Sequence, residues 1–227
     1  MVYNEESKIQ FLIDFYKTRF SNCKFIFYEN YSTDNTREIL ENNNCEIILY
    51  NSNNQINDMS LKNLKNSCWK NAKTNWILVC DADEMLDITE KDLVNEEESG
   101  TTIIRSEAWN MVNMEDNSNL DNIKYGFRDE NYDKYYLFNK KYIKEINYNV
   151  GAHSATPNGK LKLSNKIYKL YHYAYICPDL MVKKYQLTAK RLSDVNKQCG
   201  MGSYCLVSEA EIRQNFENAR KIVQKII

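Results

Sequence analysis

An α/β fold with a mainly parallel central sheet flanked by helices is predicted by three observations. Short apolar runs (KFIFY, CEIILY, WILVC) alternate with segments of helical periodicity through the first hundred residues. Each run has strand length, five or six residues. Polar residues stand together at the carboxyl ends of these runs.

The elements follow in order. A very short first strand ends at Asn4-Glu5. Residues 6–20 carry Ile9, Leu12, Ile13, Tyr16 and Phe20 at the spacing of a helix with one apolar face. Residues 24–28 form a strand ending at Glu29-Asn30. Ser32-Thr33-Asp34-Asn35 then supplies N-cap residues, and Glu38 stands three beyond Asn35 as in a capping box. That helix runs to about residue 43. Residues 45–50 are a strand, 59–72 a helix and 76–80 a strand, which ends on Asp81-Ala82-Asp83-Glu84. This rhythm describes βαβ units and parallel strands covered on both faces. Ligands of such sheets sit beyond the carboxyl ends of the strands, so the polar groups at those ends share one rim.

After residue 100 the rhythm changes. Residues 101–104 predict a strand, 113–134 an irregular polar stretch, and 135–138, 143–148 and 167–175 further strands, with a turn at 157–160. This is a small extra antiparallel part. Helices are predicted over 179–198 and 208–225, the second capped by Ser208 with Glu211. Residues 198–207, with Gly200 and Gly202, predict a mobile loop. No repeat or linker divides the 227 residues, so a single domain is expected.

Composition removes several classes of function. A chain 43% hydrophobic can bury a core, and a formal net charge of -1 without a basic block disfavours a duplex-binding surface. No nucleic-acid partner is therefore expected. No apolar run approaches the roughly 20 residues of a membrane span, so no transmembrane segment is expected. The acidic N-terminal residues lack the apolar core of an export signal. Seven scattered cysteines without a C-x-x-C spacing read as reduced thiols of a cytoplasmic protein and not as a zinc site.

The acids at 81–84 carry the chemistry. All six glycines lie at or after residue 100, so the parallel half has neither a G-x-G-x-x-G turn nor a P-loop. A divalent cation on carboxylates can instead neutralise a phosphorylated ligand through hard oxygen contacts. Asp81 and Asp83, two apart on an extended strand end, would point the same way. Two other readings stand beside this one. Acids after a strand also serve as helix caps and loop solvation. A haloacid-dehalogenase-type phosphatase would use Asp81 as nucleophile, but its pattern wants Thr or Val where Met85 stands.

The motifs, taken in order, resemble those of family 2-type glycosyltransferases of the GT-A fold, in the D-x-D-E subgroup with viral and bacterial members. They are VYNEE (2–6), YENYSTDNT (28–36, with Glu29 in place of the usual Asp), KNSCWK (65–70), WILVCDADEML (76–86), INYNVGAHSA (146–155), YHYAY (171–175) and RLSDVNKQCGMGSYC (191–205). The resemblance implies a nucleotide-binding half over about residues 1–100, then an acceptor-binding half with C-terminal helices. It implies a metal-dependent enzyme, with Mn2+ or Mg2+, that moves a hexosyl or deoxyhexosyl group from a UDP-, GDP- or dTDP-linked donor. The acceptor would be a glycan, a lipid-linked or a protein-linked group, and the course inverting. It leaves room for further domains in a longer parent chain. A non-catalytic carbohydrate-binding domain of the same fold is the alternative.

Residue roles follow from the resemblance. The metal bridges Asp83 to the diphosphate, and Asp81 reaches the metal through water or the ribose hydroxyls. Asn4, Glu5, Glu29, Asp34, Lys65 and Asn66 lie near the nucleotide, with an N-cap role open for Asp34 and a solvated helix face for Lys65. His172 and His153 compete for the role of the late histidine that joins Asp81 and Asp83 as a metal or phosphate contact, with a structural role in a Tyr-rich strand open for His172. His153, after Gly151, meets the sugar, as do Glu84 and Trp109 if they are not structural. An inverting course needs a base for the acceptor hydroxyl, for which Glu107, Asp129 and Glu130 are candidates. The basic–apolar end, residues 220–227, could meet a membrane surface or pack on the sheet.

Overall fold

The N-terminal alternation folds as its periodicity dictates. The computed structural model describes residues 1–115 and 117–227; residue 116, within the stretch expected to be irregular, lies outside the described residues. Helix α1 (Glu6–Lys17) buries Lys8, Ile9, Leu12, Ile13 and Tyr16 along one stripe. Each apolar side chain so buried stabilises by roughly 1.5–3 kcal/mol. Strand β1 (Ile26–Glu29), helix α2 (Thr36–Asn42), strand β2 (Glu46–Leu49), helix α3 (Asp58–Ser67) and strand β3 (Trp76–Leu78) follow. β1 and β2 pair in parallel, and the expected first strand is reduced to one parallel bridge, Val2 to Glu29.

After β3 the parallel rule ends. Ala82 and Asp83 form a turn, and strand β4 (Glu84–Leu86) runs on directly. Helix α4 (Glu90–Glu98), strands β5 (Ile103–Val112), β6 (Tyr125–Arg128), β7 (Leu137–Asn139), β8 (Ile143–Glu145), β9 (Asn158–Gly159) and β10 (Leu163–Tyr175) complete the sheets. The largest sheet holds seven strands in the order β11-β6-β5-β10-β4, with β7 joining β5 to β3. Strand β11 (Gln224–Lys225) lies at its edge. Among the described residues only β5 and β10 pair in parallel within it, so the expectation of a mainly parallel sheet is corrected to a mixed one. The α/β class stands. Strand–helix alternation gives the expected parallel pair for β1 and β2 across α2. β4, β6 and β7 each run antiparallel to their partners in this sheet.

The C-terminal part departs in two places. The helix expected over 179–198 divides into α5 (Pro178–Arg191) and α6 (Asp194–Gln198), because Ser193 caps a new helix by accepting from the Asn196 backbone N–H at 3.2 Å. Ile56 bonds across the break to Arg191 and Ser193. Helix α7 (Glu209–Arg220) has the expected capping box but stops at Arg220. Residues 224–225 then add β11 to the open edge of β6, and Ile226 packs on the core. Ile222, Val223 and Ile226 are β-branched, which suits an extended tail better than a helix end. Among the described residues no helix is long and apolar enough to cross a membrane.

The register places the site. β4, β10 and β5 lie side by side, so residues Leu86, Leu170 and Ala108 form one cross-strand row, buried and apolar. Two residues further along the same face the row reads Glu84, His172, Asn110. The face turns from apolar to ionisable where the parallel pair β5 and β10 approaches its carboxyl ends. On the opposite face Met85, Tyr171 and Trp109 pack into the cluster around α1.

Candidate active site

The Asp81–Glu84 turn is closed from within. The Glu84 N–H donates to the Asp81 carbonyl at 3.2 Å, and the Asp81 N–H donates to Glu84 Oε2 at 3.0 Å. Lys134 Nζ holds Glu84 Oε1 at 2.7 Å, with both side chains almost wholly buried. Glu84 is therefore the strut beneath the turn. The expectation that Asp81 and Asp83 point the same way along an extended strand is corrected, because a turn replaces the strand end. Asp81, half-exposed, pairs with Lys65 Nζ at 2.8 Å. Asp83, buried, meets Lys8 Nζ at 3.2 Å and Lys184 Nζ at 2.5 Å through Oδ2. Burial alone would raise the Asp83 carboxyl, but Lys184, Lys8 and His172 hold it well below the usual carboxylate range.

His172 completes the centre. Its Nε2 stands 4.0 Å from Asp83 Oδ1, too far for a hydrogen bond. Its Nδ1 lies 2.6 Å from Asn110 Oδ1, and Asn110 Nδ2 donates to Asp129 Oδ2 at 2.8 Å. Burial lowers the His172 imidazole against the pull of Asp83. Tyr132 lies over the His172 ring at 4.2 Å and takes the His153 ring on its edge at 5.2 Å. His153, exposed, reaches the Asn131 carbonyl at 2.9 Å. Gly151, at φ 75, clears that ring: a Cβ there would meet His153 Cδ2 at 2.7 Å. The two histidines thus flank one tyrosine.

Of the residues expected around the nucleotide, Lys65 faces Asp81, and the others are bonded to neighbouring backbone or side chains. Asn4 and Glu5 sit in a turn locked to residues 32–36: the Asn4 N–H donates to Ser32 Oγ at 3.1 Å, and the Glu5 N–H to Thr36 Oγ1 at 2.7 Å. Glu29 is fully buried, and its carboxylate accepts from the Tyr31 and Ser32 N–H groups at 3.1 and 2.5 Å. Asp34 accepts from the Glu6 and Thr36 N–H groups at 3.2 and 3.0 Å and so ties the first turns of α1 and α2 together, while the N-cap of α2, Asn35, makes no side-chain cap bond and the capping box expected with Glu38 is not formed. Asn66 is bonded to both backbone groups of Tyr148. These side chains build the rim. Beside them opens a cleft of about 360 Å³ lined by Tyr3, Asn30, Tyr31, Thr33, Asn51 and Asn54. The Arg191 guanidinium stacks on Tyr3 at 3.4 Å.

Other expected residues lie elsewhere. Glu107 accepts from Trp109 Nε1 at 3.3 Å. Strand alternation sets both on the face of β5 opposite Asn110, away from His172. Asp129 is tied to Asn110 and Asn131, and Glu130 is exposed.

Sequence reasoning missed Lys8, Asn110, Tyr132, Lys134 and Lys184. One signal existed. Lys8 shares the 8, 12, 16 stripe with Leu12 and Tyr16, so a lysine on the buried face of α1 was legible.

Among the described residues no three His, Cys, Asp or Glu side chains converge as a metal cluster. The fit of a divalent cation rests on a narrower observation. Asp83 Oδ1 is only an acceptor, and it faces His172 Nε2 across 4.0 Å without a hydrogen bond. An ion held there would have one carboxylate oxygen and one imidazole nitrogen from this chain. Asp83 and His172 are the residues that fit; the Asp81 carboxylate, drawn to Lys65, does not join them directly.

A family model matches the part of the chain that holds the first four motifs. The model of glycosyl transferase family 2 matches residues 1–146. No curated protein matches the chain. Among solved structures, S. aureus TarS, residues 1–349 in complex with UDP, is similar with a TM-score of 0.46. The identity is 16%, over 96% of this chain and 69% of that one.

Proposed function

Since the chain belongs to glycosyl transferase family 2, we propose that it transfers a sugar from a nucleotide-diphosphate donor to a hydroxyl of a glycan, lipid-linked or protein-linked acceptor, with inversion. Family membership takes the place of the phosphatase alternative. The observation that carries the reading further is the buried Asp83 carboxylate between two lysines and an imidazole.

The residues divide the work. The cleft takes the nucleoside, with the open face of Tyr3 as a stacking platform backed by Arg191. Lys8, Lys65 and Lys184 bring ammonium groups to the position of the diphosphate, each now neutralised by Asp81 or Asp83. Asp83 and His172 would hold a Mn2+ or Mg2+ ion, whose chemistry is to stabilise the charge that grows on the departing diphosphate. The acceptor oxygen bonds to the anomeric carbon as the bond from that carbon to the diphosphate oxygen breaks, and the hydroxyl proton passes to the carboxylate of Glu130, the exposed one of the three candidates. His153 and Tyr132 border the sugar.

The test is slow donor hydrolysis. Incubation of the chain with UDP-, GDP- and dTDP-hexoses and deoxyhexoses, Mn2+ present and acceptor absent, should release free sugar from one nucleotide class. Release of phosphate from an aryl phosphate, or no turnover of any donor by a folded chain, would reject the reading.

A further inference from the structure

We infer that Asp129 and Asn110 are positioning residues that lock His172 as the Nδ1–H tautomer, with the Nε2 lone pair turned to Asp83. The inference rests on the transferase reading of the site and assigns two residues that this reading leaves without a task.

The deduction starts from a group with no ambiguity. An ionised carboxylate only accepts hydrogen bonds. Asp129 Oδ1 already takes the Asn131 backbone N–H at 3.1 Å and its amide at 3.0 Å, and Oδ2 lies 2.8 Å from the Asn110 side chain. The amide edge of Asn110 that faces Asp129 must then be NH2. The other edge, its oxygen, faces His172 Nδ1 at 2.6 Å. That oxygen also only accepts, so Nδ1 carries the proton. A neutral imidazole has one N–H, and Nε2 is left as a lone pair.

The lone pair is aimed. Asn110 and His172 are register partners on the parallel pair β5 and β10, so the two side chains stand side by side on one face. Tyr132 over the ring at 4.2 Å holds its plane. Nε2 faces Asp83 Oδ1 at 4.0 Å, an acceptor opposite an acceptor. Two lone pairs in that position disfavour each other until a positive centre lies between them. The chain from Asp129 through Asn110 to His172 thus prepares a cation-binding edge before any ligand arrives, as outer partners commonly do for a ligating imidazole. Asp129, a candidate base by residue type, has both oxygens committed to this task.

Nitrogen NMR decides it, on the ligand-free chain at about pH 8, above the ordinary imidazole range. The chain has only two histidines, and His153→Gln identifies which signals belong to His172. Long-range 1H–15N correlation should show His172 with protonated Nδ1 and bare Nε2. Asp129→Asn keeps the shape but removes the acceptor that orients Asn110, and Asn110→Leu removes the amide. Each should move the His172 nitrogens toward a mixture with Nε2 protonated, and turnover should fall roughly 10–100-fold in both. If Asp129→Asn fails to fold, Asn110→Leu carries the comparison. A wild-type His172 protonated at Nε2, or a tautomer unchanged in a folded variant, would overturn the inference. The measurement needs no turnover, so a failed donor screen and a failed tautomer assignment are seen separately.

Discussion

Asp83→Asn is expected to lower transfer about 100–1,000-fold while the fold survives, the scale of losing one preorganised charge at a transition state. Asparagine keeps the volume, and the Asp83 carbonyl still accepts from the Tyr173 N–H at 2.8 Å. Lys8 keeps Glu5 at 2.8 Å, so no buried ammonium is stranded. What disappears is the negative charge opposite His172 Nε2. Circular dichroism and a thermal melt check the fold, and sugar release from the donor reads the loss. Turnover within about threefold of wild type would remove Asp83 from the chemistry.

The second large effect is on stability. Lys134→Met is expected to destabilise the chain by about 3–5 kcal/mol, the scale of breaking one side of a buried ion pair. Lys134 is 4% and Glu84 2% exposed, so neither can turn to water. Removing the ammonium leaves the buried Glu84 charge without its cation beneath the Asp81–Glu84 turn, although Oε2 keeps the Asp81 N–H. The Lys134 ammonium also lies 4.9 Å from the Tyr132 ring centre, so His172 loses a neighbour's support. The melting temperature should drop by roughly 6–20 °C. The double variant Lys134→Met with Glu84→Gln, which removes the stranded charge, should regain most of it. A single variant melting within about 2 °C of wild type would show that the pair is not what holds the turn.

Part of this site was legible in the sequence, and the reason is local. Trp76–Leu78 leads directly into the acids, so the strand and its polar end are read from one stretch. Helix α1 and the capping box of α7 are likewise written within a dozen residues. The direction of the large sheet was not legible, because β4 and β7 are three-residue strands whose partners lie far along the chain. The His172–Asn110 contact spans 62 residues and exists only through the register of β5 against β10. The roles of Glu29 and Asp34 were hidden for another reason. An acid in a loop looks the same whether it awaits a ligand or caps a backbone, and here both carboxylates are bonded to backbone N–H groups. Trp109 beside Glu107 reads as a sugar platform until strand alternation turns it to the α1 cluster.

The lysines sharpen the expectation for the metal. Asp81 already faces Lys65, and Asp83 already faces Lys8 and Lys184. A bare divalent ion therefore meets a region whose charges are matched, whereas a diphosphate draws the ammonium groups away and adds negative charge of its own. Cation and nucleotide should bind as a pair. Calorimetric titration with uridine, guanosine and thymidine diphosphates, with and without Mn2+, tests this most directly. The expected result is that the preferred nucleotide binds at least about tenfold tighter with Mn2+, a gain of roughly 1.4 kcal/mol. Equal affinity with and without the ion would contradict it.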